Sequence, residues 1–364
     1  MPGPQTSADK KIRSYLAILL GAILSLAIGL AGFALWMAPP SGDLVRIGGW
    51  SSRHHGWQGP KIGFADDLYT STTTSALLDG APPGEILIFG DSFSIKHDGG
   101  ISWINTLQAE TGREVRFVRI QGFAEIQRYL RSDAFRHAPP AAMIVQTVER
   151  ELIRRAAETA GGDCHPPAPP LWLARQAPRP ISTPDQPFTQ RTHFDNMDEL
   201  FSWGALALRK TLAGGGETRR VALSRNDLFS SPASGHLLLY DRDILLHTAD
   251  AFPQSNPDRA AQTALCGLRQ MAGDVGQIPF RLVIAPDKRS VYADWITTPL
   301  PTKEIDLFTL AEEALGDSFV NLQPALTEAA ETIPDIYYPD DSHWGPAGHR
   351  LAGHAVSAAL LAVP

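Results

Sequence analysis

Cysteine is almost missing from this chain: Cys164 and Cys266 are the only two in 364 residues. That excludes a disulfide-dense scaffold and a zinc framework built from thiolates, and it leaves open whether the two thiols pair. Clustered Lys/Arg is missing as well. With a formal net charge of −7, the chain lacks the electrostatic footprint of a nucleic-acid binder, so no nucleic acid is expected as partner. His54, His55 and His97 have no ligand spacing, and no metal site or cofactor is expected. No internal repeat is visible. What is present is globular: 43% of residues are apolar and 20% charged, which excludes general disorder. The length allows one large domain or two ordinary ones, each with a buried core.

One long hydrophobic run stands out. No charge occurs from Ser14 to Gly42, and Tyr15 to Ala38 is nearly all apolar, about the length of a bilayer-spanning helix. Lys10, Lys11 and Arg13 precede the run, against Asp43 and Arg46 after it. The more basic flank predicts a cytoplasmic tail at 1–13, a single-pass inner-membrane anchor at 14–38, and everything beyond it in the periplasm. A cleaved signal peptide is the competing reading. Gly21, Ser25 and Gly29 form a small-residue stripe on which another helix could pack.

Residues 39–80 begin with Pro, Gly, Ser, His and Trp and read as a linker or wrapping arm. Glu85–Phe89 is an unbroken apolar run that suits a strand buried on both faces. A helix from Ser102 to Thr111 stops at Gly112. Strand Val115–Ile120, a helix from Ala124 to Phe135 and strand Ala142–Val148 follow. This alternation predicts an α/β class: a three-layer α/β/α domain on a parallel sheet, with its first part at 81–154. Prolines crowd the 161–190 stretch, so 155–256 reads as an insertion or cap. Within it His236–Tyr240 and Ile244–His247 look like a hairpin around Asp241-Arg242-Asp243. The rhythm resumes at 257–364 with a helix over Asp258–Met271, strands Phe280–Ala285 and Phe319–Leu322, and a final helix from Pro346 to Leu361.

The candidate chemistry sits where these elements end. A serine needs a base to take its proton, and the base needs an acid to hold its tautomer. Ser92 follows the first buried strand, at the edge where open α/β sheets bind ligands. His343 precedes the last helix, with Asp341 two residues and Asp340 three residues upstream. An ordinary α/β-hydrolase is disfavoured, because no Gly-X-Ser-X-Gly elbow surrounds Ser92. The bland alternatives are a plain Gly-Asp-Ser turn, and helix capping by Asp341 and His343. For Trp103, Trp203 and Trp295 a core position competes with a sugar-stacking role.

Gly90-Asp91-Ser92-Phe93-Ser94 resembles the first block of the SGNH (GDSL-like) hydrolases. Asp341-Ser342-His343-Trp344 resembles the Asp-X-His-Trp motif of their alginate O-acetyltransferase branch. Val283–Lys288 and Thr147–Arg150 are similar to segments of the same branch. The likeness covers 83–150 and 257–362, not the insertion. It implies Ser92 as nucleophile, His343 as base and Asp341 as acid; ordinary SGNH spacing would choose Asp340 instead. One departure is order, since in the alginate branch the Asp/His motif precedes the serine. Another is that the Gly-X-Asn-Asp block, which supplies an oxyanion-hole Asn, is replaced here by Gln146-Thr147-Val148-Glu149-Arg150. The Ser92 and Gly122 backbone N–H groups are candidate oxyanion donors, and Gln146 or Thr147 would have to replace the Asn. Arg150, Lys288 and Trp344 are placed near the substrate, with a solvated or structural charge as the favoured alternative for Lys288. The resemblance further implies transfer of an acetyl group onto a polysaccharide, a membrane-bound acyltransferase as supplier, and polysaccharide export or synthesis proteins as neighbours. A periplasmic esterase with the same triad, or a silent glycan-binding subunit, would fit the same residues.

Overall fold

The computed structural model describes residues 7–59, 68–95, 102–160, 164, 193–214, 216–245, 257–303 and 305–362. Most of the proline-rich stretch, and the 246–247 end of the expected hairpin, lie outside these residues.

Strands of continuous apolar sequence find each other because only a fully covered sheet removes both their faces from water. β2 (Ile86–Gly90), β4 (Ala142–Val148) and β7 (Phe280–Ala285) are buried at every position. β1 (Thr70–Thr72), β3 (Val115–Arg119) and β8 (Phe319–Asn321) complete a six-stranded sheet in the order β1-β3-β2-β4-β7-β8. Every pairing in it is parallel. The period of two splits each strand between two cores. Ile86, Ile88 and Ile144 face a cluster with Trp103, Leu107, Trp344, Val356 and Leu360 from helices Trp103–Thr111 and Pro346–Leu361 and the loop before the latter. Leu87, Phe89 and Val145 face the other, with helices Phe123–Leu130, Leu152–Thr159, Pro257–Val275 and Leu307–Leu315. Each large apolar side chain so buried contributes about 1.5–3 kcal/mol.

The chain leaves β2 toward β3 on one side, and leaves β4 toward β7 on the other. The carboxyl ends of β2 and β4 therefore flank a topological switch point, the position where a crevice opens in such sheets.

Two expectations need correction. The expected helix Ala124–Phe135 is two helices, Phe123–Leu130 and Asp133–His137, because Ser132 accepts from the Phe135 N–H and starts a new one. His236–Tyr240 is a strand (β6), but it pairs antiparallel with β5 (Thr218–Ala222). Asp241–Leu245 is helical, its acidic residues lying in the first turn, where they favour a helix start.

The first helix, Ser7–Met37, has 31 residues, or about 46 Å at 1.5 Å each. By length and composition its Lys10–Met37 portion passes as a membrane span or as a signal sequence. Leu16, Ile18, Leu20, Leu24 and Ile28 are exposed. Near its end Ala34 and Met37 pack with Leu200, Trp203 and Ala207 of helix Met197–Leu212. The close approach falls at Gly204, where a Cβ would stand 2.7 Å from the Leu30 carbonyl oxygen, and not at the stripe, since among the described residues nothing lies within 4 Å of a Cβ at Gly21 or Gly29. Cys164 and Cys266 form a disulfide, which ties the start of the insertion to helix Pro257–Val275.

The segment after the first helix does not leave the domain. It forms helices Asp43–Gly48 and Ser52–His55, with Leu44, Val45 and His55 buried.

Candidate active site

β2 ends at Gly90, and the chain turns through a short 3-10 helix, Ser92–Ser94. Asp91 shapes this turn from below. Its carboxylate accepts from the Phe93 N–H (3.0 Å), the Val148 N–H (2.8 Å) and Arg155 Nη1 (2.6 Å). Burial opposes the charge on Asp91, yet Arg155 and the two amides outweigh it and hold its pKa below the usual carboxylate range. Asp91 therefore locks the ends of β2 and β4 together and leaves the Ser92 side chain partly open to solvent.

On the opposite wall stands the loop 338–345, which enters helix Pro346–Leu361. Tyr338 N–H donates to the His343 carbonyl (3.1 Å) and Gly345 N–H to that of Ile336 (2.9 Å), closing the loop on itself. Trp344 is fully buried, and its Nε1–H donates to the Tyr337 hydroxyl at 2.9 Å, which donates in turn to the Pro286 carbonyl. Phe93 packs between the two walls, with ring centroids 4.7 Å from His343 and 5.1 Å from Trp344.

This bracing brings residues 251 positions apart into line. Ser92 Oγ lies 2.7 Å from His343 Nε2, and His343 Nδ1 lies 2.5 Å from Asp341 Oδ1. A carboxylate only accepts, so Nδ1 carries the proton and Nε2 is left to accept from the serine hydroxyl. Asp341 Oδ1 also accepts from the His343 N–H at 3.0 Å. Burial disfavours the imidazolium, but Asp341 outweighs it and Asp43 adds to the effect; with Arg150 opposing, the net pKa of His343 is raised. In this geometry a histidine can accept a proton from a serine hydroxyl and have the resulting charge balanced by the carboxylate.

Asp340 is placed differently. Its carboxylate accepts from the Ser41 hydroxyl, and burial pushes its pKa up to about 7. Between the two acids left open by the spacing, Asp341 is the one that meets the histidine.

The other predicted residues divide. Arg150 lies at the site: its guanidinium carbon is 5.9 Å from the Phe93 ring centroid, and Nη1 pairs with Asp287 and, at 3.3 Å, Asp243. Burial works against its charge, but Asp287 and Asp243 raise its pKa. Gln146 and Thr147 are fully buried beneath the turn. Gln146 Oε1 accepts from the Asp91 N–H (3.0 Å) and the Ser94 hydroxyl (2.8 Å), and Thr147 Oγ1 accepts from Arg155 (2.7 Å). That corrects the expectation of an exposed oxyanion donor from either side chain, because both hold up the turn. Gly122 precedes helix Phe123–Leu130 and lies against the Glu158 carboxylate. Of the two readings of Lys288, substrate contact or structural charge, its position fits the second. It is fully buried, with Nζ donating to the Pro339 carbonyl at 3.2 Å, and burial lowers its pKa to about 8 against the pull of Asp340 and Asp341. Trp344, expected near the substrate, is fully buried and braces the loop from behind. Trp103 and Trp203 are core residues.

Asp43 is the residue that sequence reasoning missed. It lies at the start of helix Asp43–Gly48, and its Oδ2 is 4.0 Å from His343 Nδ1. Asp43, Asp341 and His343 offer ligand atoms within 4.8 Å of one another. The same atoms carry the Asp341–His343 hydrogen bond, and a cation there would compete with it. A cavity of about 600 Å3 lies elsewhere, lined by Trp36, Trp50, His55, Arg220 and His236 at the end of the first helix.

Fold and site together define an α/β protein with a serine–histidine–aspartate arrangement at the carboxyl edge of a parallel sheet. The family model for the SGNH hydrolase-like domain of the acetyltransferase AlgX matches residues 243–364. The chain thus carries an SGNH-like domain of that description over its last third, which includes Lys288, Asp341, His343 and Trp344 and leaves Ser92 outside the matched span. No curated protein and no solved structure matches the chain. The match supports an acetyltransferase- or esterase-like enzyme with a polysaccharide-related role.

Proposed function

We propose that this protein is an extracytoplasmic O-acetyltransferase that carries an acetyl group on Ser92 and passes it to a polysaccharide hydroxyl. The observation that carries the proposal is the continuous line Ser92 Oγ–His343 Nε2 (2.7 Å) and His343 Nδ1–Asp341 Oδ1 (2.5 Å). His343 takes the hydroxyl proton as Ser92 attacks the acetyl carbonyl of a donor, then returns it to the leaving group. In the second half the sugar hydroxyl attacks acetyl-Ser92, with His343 again as base, and Ser92 recovers its proton. The buried imidazolium is matched by Asp341, so neither half needs a metal.

The family match supports acetyl transfer or ester hydrolysis as the class of reaction. The apolar first helix and the Cys164–Cys266 disulfide support a periplasmic domain anchored in the inner membrane, since disulfides persist in oxidising compartments. Arg150, one ring away from His343, is the residue we assign to the substrate side. The donor would come from a membrane-bound acyltransferase in the same bilayer. With water as acceptor the same residues perform ester hydrolysis, so the acceptor decides the name. Full-length protein in detergent, given p-nitrophenyl acetate with and without an oligosaccharide, separates the cases. Acetylated sugar is the expected product; free acetate alone would make the protein an esterase, and no turnover would refute both.

A further inference from the structure

Asp43 belongs to the segment that leaves the anchor helix, yet it is built into the acid–histidine loop almost 300 residues later. Its N–H donates to Asp341 Oδ2 at 2.9 Å. Its carboxylate accepts from the Ser342 N–H at 2.7 Å and the Ser342 hydroxyl at 2.6 Å. The contact is close along its whole length. Val45 N–H donates to the Asp340 carbonyl at 3.2 Å, and a Cβ on Gly42 would stand 2.0 Å from the same oxygen. A mobile linker would show none of this.

We propose that Asp43 is a positioning residue of the reaction: it clamps Asp341, and its carboxylate shares the charge of the His343 imidazolium. Through it the membrane-proximal arm completes the active site. The proposal rests on the serine acyl-transfer reading above. Asp341 then has both oxygens engaged, Oδ1 with His343 and Oδ2 with the Asp43 N–H, and cannot rotate away from the ring. Two carboxylates meet the charge that forms when His343 takes the Ser92 proton. The charged groups facing Asp43 are Asp341 and His343 from the loop, Arg150 from the end of β4, Lys288 from the turn after β7 and Asp243 from helix Asp241–Leu245; Arg46 lies on its own helix.

Asp43→Asn tests this, because the amide oxygen still accepts from the Ser342 N–H and the NH2 can donate to the Ser342 hydroxyl oxygen, so both contacts stay filled while the charge is removed. The readout is the rate at which a fluorophosphonate labels Ser92 in the full chain, followed against pH. An anion 4.0 Å away raises the pKa of His343. Its loss should therefore move the ascending limb to lower pH by about one unit and lower the plateau rate about tenfold. Asp43→Glu, which restores the charge on a longer side chain, should bring the limb back toward its original position. An unmoved limb in Asp43→Asn, at whatever rate, would overturn the proposal, since a purely structural role changes the rate alone. Ser92→Ala and His343→Ala run alongside. If these label like the parent protein, the acyl-transfer reading itself fails and takes this proposal with it; if they do not label, a failure at Asp43 stands alone.

Discussion

Two adjacent aspartates offer a sharp contrast. In Asp341→Asn the residue facing His343 Nδ1 loses its charge, and an amide N–H can take the place of the accepting oxygen. The imidazole would then keep its proton on Nε2, facing Ser92, where it cannot act as a base. The charge lost is that of a carboxylate whose oxygen lies 2.5 Å from Nδ1. At an effective dielectric near 20, opposite charges about 4 Å apart interact by about 4 kcal/mol, which corresponds to roughly a thousandfold in rate. Asp340→Asn touches none of this. Its carboxylate meets the Ser41 hydroxyl, and burial pushes its pKa up to about 7. We expect less than a tenfold change there, as for a neutral hydrogen-bond exchange. Both variants would be assayed by p-nitrophenyl acetate turnover after their melting temperatures are matched to the parent. The reasoning is refuted if Asp340→Asn is the more damaged enzyme, or if Asp341→Asn retains a tenth of the activity.

Three further outcomes follow from the same geometry. Because His343 must be neutral to act and its pKa lies above the ordinary 6.5, kcat/KM should rise with pH through a midpoint above that value; a midpoint below it would contradict the pairing with Asp341. Arg155→Met leaves the Asp91 charge buried without its guanidinium, and should cost about 3–5 kcal/mol in denaturant unfolding. In the parent protein the contribution of Asp91 is present at neutral pH and should be lost as acid titrates its lowered pKa, below 3.8. Cys266→Ser opens a loop of 102 residues and should lower stability by about 2–4 kcal/mol, seen as a lower melting temperature that dithiothreitol no longer changes.

The sheet was legible because β2, β4 and β7 are short apolar runs that no other element type explains as well, and the helices between them carried clear stops such as Gly112. The edge strand β1 was not, since Thr70-Ser71-Thr72 is polar and has a neighbour on one side only. The hairpin was misread because Ile244 and Leu245 are as apolar as a strand, and only the acidic first turn marks them as helix. In the site, Ser92, His343 and Asp341 could be picked out because a nucleophile, base and acid are sought at strand and helix ends, and the structure brings the three together. Gln146, Thr147 and Lys288 stayed open because a polar residue near a strand end can point up to the substrate or down into the core, and a single sequence does not say which; all three are buried. Asp43 left no local signal. Its partners are Asp341 and Ser342, 298 and 299 positions away, and a lone acid after an apolar helix reads as a solvated charge.

The central claim is that Ser92 carries the acetyl group, activated by His343. Its most direct test is peptide mass mapping of the full chain, quenched in acid during turnover of p-nitrophenyl acetate. The account predicts one added acetyl group, on the peptide and residue of Ser92, absent from Ser92→Ala and from His343→Ala. An acetyl group found on another residue, or an undiminished adduct and turnover in either variant, would contradict it.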